Sequence, residues 1–353
     1  MLLETLQRID FAKSPRDVIV ELQRVLREYL SSIPARVQFP DAGILLVGGG
    51  GGTTTVGRSL LTSGILRFST MPNVFDRELY PKTFELRGSG LVRTLLDSPD
   101  VLDTFTHLFL IRPQAWSNPL TRFLAEHVRD IRRGYFVLAV AANLLGFQEA
   151  VDWLTGEMEN SWRVVPTTVI PTEIQFTQDD VVMGLYDYIL RRPDPSRVFD
   201  RMLLDPPARL SSDADQAIAA ARHIVIGPGD VHFTVLPHWL VAGFKEALET
   251  NEAAALVLVA NLTARDVDIP GFTLSMFLDL WDRYLPADRQ VTVLVNSETF
   301  DGALRDDIAA DRHGQRFALI RKPIASAQLS RAGQPIHDVE RLGEALKAIL
   351  SRT

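Results

Sequence analysis

The sequence predicts an α/β fold: a three-layer arrangement with a mostly parallel sheet, helices on both faces and a small inserted β unit. Three observations carry this. Short, wholly apolar runs such as Ile44-Leu45-Leu46-Val47 and Ile224-Val225-Ile226 read as strands buried on both faces. From residue 43 onward such runs alternate with segments of helical period. Two of the runs lead directly into glycine turns followed by helix-like segments, the strand–turn–helix unit of parallel sheets.

Composition sets the bounds. The 353 residues suffice for one large domain or two closely packed ones. Apolar residues make up 46% and charged residues 23%, the balance of an ordinary globular chain. A net charge of −7 argues against a nucleic-acid partner. The absence of cysteine excludes disulfides, thiolate catalysis and Cys-based zinc sites. Residues 1–10 lack a signal-peptide core. No stretch approaches the roughly 18 apolar residues of a membrane span. The expected location is cytoplasmic, with no membrane partner.

Residues 1–41 form a helical lead-in. Ser14-Pro15 reads as an N-cap followed by proline at the first helical position. Val18, Leu22, Val25, Leu26, Tyr29 and Leu30 then recur at helical spacing, predicting an amphipathic helix over 15–31. This helix covers the edge of the main domain or, alternatively, makes a homo-oligomer contact. Residues 42–353 form the main domain. In it the pattern predicts strands over 66–70 and 108–111, and helices over 92–96, 118–132, 135–146 and 148–159. A small β unit runs from 163 through 183. Residues 191–212, rich in Pro, Asp and Arg, read as loop, so 163–212 is a candidate inserted subdomain or lid. Helices over 213–222, 236–249, 272–285, 302–310 and 338–351 then alternate with strands over 223–226, 255–260, 290–296 and 316–320.

The first glycine turn, residues 48–52, offers bare backbone N–H groups at a helix N-terminus, which suits a phosphate group. It lacks the lysine of G-x-x-x-x-G-K-[ST]. It also fails G-x-G-x-x-G, because the sixth position from Gly48 is Thr53. A dinucleotide is therefore disfavoured. Five consecutive glycines exceed what a simple turn needs, which points to close approach of a ligand to Gly49, Gly50, Gly51 and Gly52, with Thr53 and Thr54 beside them. The second turn, Gly227-Pro228-Gly229-Asp230, faces the first across the carboxyl ends of the strands, where open α/β sheets hold ligands.

The second turn through Thr234, with Leu236-Pro237, Leu240-Val241 and Gly243, resembles the G-P-G-S-x-Y-T-S-x-x-P-N-L-L-V-x-G signature of the CofD-like superfamily. That superfamily joins 2-phospho-L-lactate transferases with YvcK-type gluconeogenesis factors. Residues 48–55 with Arg58 and Leu60 are similar to its G-G-G-T-G-x-S-T-x-x-R-x-L segment. Val259-Ala260-Asn261-Leu262-Thr263, Gly271-Phe272-Thr273-Leu274, Val293-Leu294-Val295-Asn296-Ser297 and Arg163-Val164-Val165-Pro166-Thr167-Thr168 resemble further segments in the same order. Residues 163–186 and 252–300 are closer to the YvcK type. The resemblance implies a Rossmann-like domain and a nucleotide-bearing ligand, GDP-type in the transferases and a nucleotide sugar in the YvcK type.

The departures bear on chemistry. The resemblance implies an acidic pair after the second strand, linked to metal and donor handling. Residues 68–76 contain no such pair, leaving Asn73 and Asp76 as candidate substitutes. The family's G-N is Gly134-Tyr135 here, its S-L-Y-T-S is residues 230–234, and its P-N is Pro237-His238. His232 and His238 are candidates for a general acid/base or a phosphate contact, or for packing on the helix's first turn. Asp230 reads as an N-cap or a ligand contact, and Asn261 and Asn296 as strand-end ligand contacts or turn residues. Asp266 and Asp268 read as solvated loop acids or a cation site, and the pairs Arg132-Arg133 and Arg191-Arg192 as solvated helix ends or phosphate contacts, the solvated reading being the simpler in each case. Histidine spacing suggests no metal site.

The expected function is a regulatory nucleotide- or nucleotide-sugar-binding protein. Its phosphate contacts would come from residues 49–54, Gly227, Pro228, Gly229, Asp230, Thr234 and Asn261. The alternative is a transferase that moves a phospholactyl-like group from a guanylylated donor to a deazaflavin-type acceptor. Mg enters only with that alternative.

Overall fold

The computed structural model describes residues 1–32, 43–75, 101–109, 118–128, 131–191, 194, 198–263, 272–308, 316–329, 333 and 335–352. Asp76, the expected helix at 92–96, Asp266 and Asp268 lie outside them.

Helices α1 (Leu2–Gln7) and α2 (Pro15–Leu30) open the chain. Ser14 caps α2, its hydroxyl oxygen accepting from the Asp17 amide at 3.3 Å. Strand β1 (Ile44–Val47), α3 (Gly50–Thr62) and β2 (Ser69–Met71) follow. Next come α4 (Val101–Phe109), α5 (Pro119–Ala125), the short pair β3 (His127–Val128) and β4 (Ile131–Arg132), α6 (Arg133–Leu145), α7 (Phe147–Glu157) and β5 (Arg163–Val164). Strands β6 (Glu173–Gln178) and β7 (Val181–Gly184), helix α8 (Leu185–Arg191) and β8 (Arg201–Asp205) build the small β unit. The chain returns through α9 (Ser212–Ala220), β9 (His223–Ile226), a π-helical turn (Val231–Val235) and a 3-10 turn (Leu236–Leu240) to α10 (Phe244–Thr250). It then runs through β10 (Ala255–Val259), α11 (Leu274–Tyr284), β11 (Val291–Asn296), β12 (Phe317–Lys322), the hairpin β13 (Ala325–Leu329) and β14 (Pro335–His337), and α12 (Val339–Leu350).

The main sheet has seven parallel strands in the order β12-β11-β10-β9-β1-β2-β5. Side chains alternate between two buried clusters, one on each face. Leu46, Val225, Val257 and Leu294 join the cluster that holds α2, α3, α6, α7 and α12. Leu45, Val47, Ile224, Ile226, Leu256 and Leu258 join the cluster that holds α9, α10, α11 and the β unit. Strands with both faces buried must be apolar at successive positions, which is why these runs were legible. The fold is thus the expected Rossmann-like three-layer α/β arrangement. Val18, Leu22 and Leu26 of α2 are buried in the first cluster, so the lead-in packs against the main domain.

Several local expectations are corrected. Leu108 belongs to α4, not to a strand, because a short apolar run fits either element when Phe105 also falls on its helical face. The helix expected over 118–132 ends at Ala125, and β3 pairs with β4. This turn returns the chain so that the Arg133 guanidinium lies 4.4 Å over the Phe123 ring. Arg163–Val164 is the edge of the main sheet, not part of the small unit. The region read as loop contains β8, whose Met202 and Leu204 alternate inward. The helix expected over 236–249 is broken, since Pro237 cannot donate within it and Gly243 sits at φ +95°. The described part of 302–310 is not helical: the Leu304 amide donates to Leu262 O and Arg305 O accepts from Leu274.

Candidate functional site

Chain order reverses between β1 and β9. The chain places β2 and β5 on one side of β1, and β9 to β12 on the other. The loops that leave these two adjacent strands diverge to helices on opposite faces, and the gap between them is the topological switch point. The ladder runs on into both loops: Gly48 N donates to Met71 O at 3.2 Å, and Gly227 N donates to Val47 O at 2.9 Å. The expected pairing of residues 48–54 with 227–234 is therefore what the fold produces.

The glycines serve different needs. A Cβ on Gly52 would strike the carbonyl of Pro228. One on Gly227 would lie 2.7 Å from Thr53 Oγ1, and one on Gly229 would lie 2.7 Å from Thr234 Oγ1 and 3.3 Å from Gly49 O. These residues are glycine because the two loops press on each other. Gly48 and Gly50 have φ of +135° and +69°, conformations that side chains resist. Gly51 differs. It is exposed, has no atom within 4 Å of an added Cβ, and lies in the first turn of α3. Gly49, the N-cap, supplies no side-chain cap to that turn. Most of the glycine run is thus explained by loop packing and backbone conformation, and neither accounts for Gly51.

The polar side chains mostly hold the loops together. Thr53 is fully buried, and its hydroxyl donates to Pro228 O at 3.3 Å. Thr54 Oγ1 donates back to Gly51 O at 3.0 Å. Asn261, at the end of β10, grips Gly229 twice: Nδ2 donates to Gly229 O at 2.8 Å, and Oδ1 accepts from Gly229 N at 3.3 Å. Asp230 caps the π-helical turn by accepting from Phe233 N at 3.2 Å, and Thr234 Oγ1 donates to Asp230 O at 2.9 Å. Asn73 is fully buried between Phe233 O (3.4 Å) and the Phe75 amide (3.2 Å), so its amide ties the β2 end to the second loop. Asn296 holds the amides of Ile324 and Ala325 away from the loops, at 3.1 and 3.3 Å.

The histidines are core groups. His232 is buried and packs edge-on against Phe199. His238 is fully buried, with Nδ1 2.5 Å from Thr167 Oγ1, and Phe75 and Phe244 flank its ring. Burial, with a smaller contribution from His107, pulls its pKa down to about 3. His107, which drew no attention in the sequence, lies under β2 with Nδ1 2.6 Å from Thr70 Oγ1, and burial takes it to about 3 as well. Both rings are neutral at pH 7 and serve as hydrogen-bonding core residues. No spacing announces the His107–Thr70 pair, since 37 residues separate the partners.

The small β unit joins the site through aromatic rings. Phe176 and Tyr188 stack at 4.5 Å and both meet Phe233 of the π-helical turn edge-on. The second loop is therefore seated on this unit. Among the described residues, no three His, Cys, Asp or Glu side chains group as a metal site. No described helix is long and apolar enough to cross a membrane.

Comparisons with known proteins bear on the fold and the family. A UPF0052-family protein of known crystal structure from Bacillus halodurans superposes with a TM-score of 0.69 at 19% identity, covering 86% of this chain and 98% of that one. A Mycobacterium tuberculosis protein named "Putative gluconeogenesis factor" is 28% identical over 152 residues, 42% of this chain and 41% of that protein. A Mycobacterium leprae protein of the same name is 27% identical over 146 residues, 41% of this chain and 39% of that one. The matched part thus spans about two fifths of these relatives. The family model described as 2-phospho-L-lactate transferase CofD matches residues 91–320, which include the second loop but not the first. With most of its length inside that match and the fold of its structural neighbour, the chain belongs to the CofD family as a divergent, YvcK-like member.

Proposed function

We propose that the chain binds a nucleotide or nucleotide sugar, with its phosphates on the backbone between residues 49–54 and 227–234, and acts as a regulatory binding protein. The observation that carries this is Gly51. It stands in the first turn of a 13-residue helix with no side-chain cap, at the switch point of the sheet, with open space around it. The positive end of the helix dipole favours an anion there. Thr53, Asn261 and Asp230 then act as loop clamps that pre-form the cradle, and the ligand contacts come from backbone.

Calorimetry or thermal-shift titration with GDP, UDP and UDP-sugars tests the reading. Binding to one of them, lost in Gly51→Val, is the expected result. No response to any of them removes the ligand class. The transferase reading rests on the family match. Its sign is product formation from a guanylylated phospholactate donor with Mg.

A further inference from the structure

We infer that Arg58 is the side chain that holds the outer phosphate of the bound diphosphate, an inference that rests on the nucleotide reading above. In α3, Gly51 and Thr62 are exposed, and Thr55 and Arg58 are partly exposed. At 3.6 residues per turn they fall within about 60° of one another around the helix axis. Arg58 therefore shares a face with the open glycine. Seven residues separate the two, a rise of about 10 Å. Side chains on a helix lean toward its N-terminus, so an arginine at this position can extend back along the face toward the first turn.

Arg58 also lacks what a partly buried arginine needs. Its Nε is shielded from solvent and has no hydrogen-bond partner. Neighbouring polar groups are already committed: Thr55 Oγ1 donates to Gly51 O at 2.8 Å, and Ser59 Oγ donates to Thr55 O at 2.8 Å. A planar guanidinium with an unpartnered Nε, on the face that leads to a helix start without a side-chain cap, fits a phosphate with two non-bridging oxygens. The backbone cradle would take one phosphate of the diphosphate and Arg58 the other. The chemistry is shared by nucleoside diphosphates, nucleotide sugars and inorganic pyrophosphate.

The test measures Kd by calorimetry for the full chain and its Arg58→Gln, Arg58→Lys and Arg67→Gln variants. The probes are GDP, a UDP-sugar, GMP and inorganic pyrophosphate. Arg67 is exposed and lies at the opposite end of β2, so it is the control. Arg58→Gln is expected to weaken the diphosphate probes about 10- to 100-fold and GMP by much less, with an unchanged melting midpoint. Arg58→Lys should fall between, because it keeps charge without the fork. Pyrophosphate competing with GDP places the shared contact on the diphosphate; sensitivity of the UDP-sugar alone would overturn that assignment. Diphosphate binding within twofold of wild type in Arg58→Gln overturns the inference while leaving the nucleotide reading intact. Equal losses for GMP and GDP, with a lowered midpoint, show a structural role and overturn it too. If the unmodified chain binds none of the probes, the nucleotide reading itself fails and takes this inference with it.

Discussion

Alanine at Gly51 and at Gly52 should have opposite effects, although the two glycines are adjacent. Gly51 lies in α3 with open space where a methyl would go. In the ligand-free protein Gly51→Ala should therefore stabilise by about 0.5–1 kcal/mol, because alanine loses less backbone freedom in a helix. At roughly 2.1 cal/mol/K of unfolding entropy per residue, a chain of 353 residues converts this to a rise of about 1 °C in Tm. Gly52→Ala drives a methyl into the Pro228 carbonyl, a backbone atom that cannot rotate away. The loops must separate, at a cost of about 1–3 kcal/mol. Differential scanning calorimetry of the ligand-free variants reads both effects, and titration with the nucleotide panel reads the consequence for binding. Gly51→Ala should bind more weakly than wild type while melting later. If Gly51→Ala both stabilises the protein and leaves ligand affinity unchanged, nothing approaches that backbone and the placement of the ligand is refuted. If Gly52→Ala is neutral, the loop contact is not as tight as described.

Acid should destabilise the fold through His107 and His238. Both have pKa values near 3 in the folded protein against 6.5 unfolded, so the unfolded chain binds more protons between these limits. Stability is whole above about pH 6.5 and falls as pH drops toward 3, with a loss of about 3 kcal/mol per histidine by pH 4.5. Urea unfolding as a function of pH should show this slope, and His238→Gln should make it shallower; an unchanged slope would place His238 in a less buried setting. Asn261→Ala removes both bonds to Gly229 and should cost about 1–3 kcal/mol. Ligand affinity should drop more than global stability does, which parallel calorimetry and denaturant titration would compare; equal loss of both would make Asn261 a purely structural residue.

Much of the fold is legible in the chain. The runs 44–47, 224–226, 256–259 and 293–295 are apolar at successive positions because both faces of the strands are buried. The elements misread are those whose identity is set by distant partners. Leu108 is helical because α4 packs in the cluster with α6, and β8 is a strand because Ile174 and Phe176 of β6 offer it a pairing edge. Short segments carry too little periodicity to decide between helix, strand and loop.

The glycine turns mark the limit. By itself the sequence determined that two bare backbone turns follow two buried strands, and that both lie at the carboxyl end of one parallel sheet. Only the tertiary structure assigned the glycines their separate reasons. Gly52, Gly227 and Gly229 are required by contacts with residues about 175 positions away along the chain or by their own turn, as the Thr53–Pro228 bond illustrates. Gly51 faces open space without a positive φ to explain it. A one-dimensional pattern records that a side chain is missing at a position. Whether protein or ligand occupies the place it would have taken depends on packing between segments that the sequence keeps far apart.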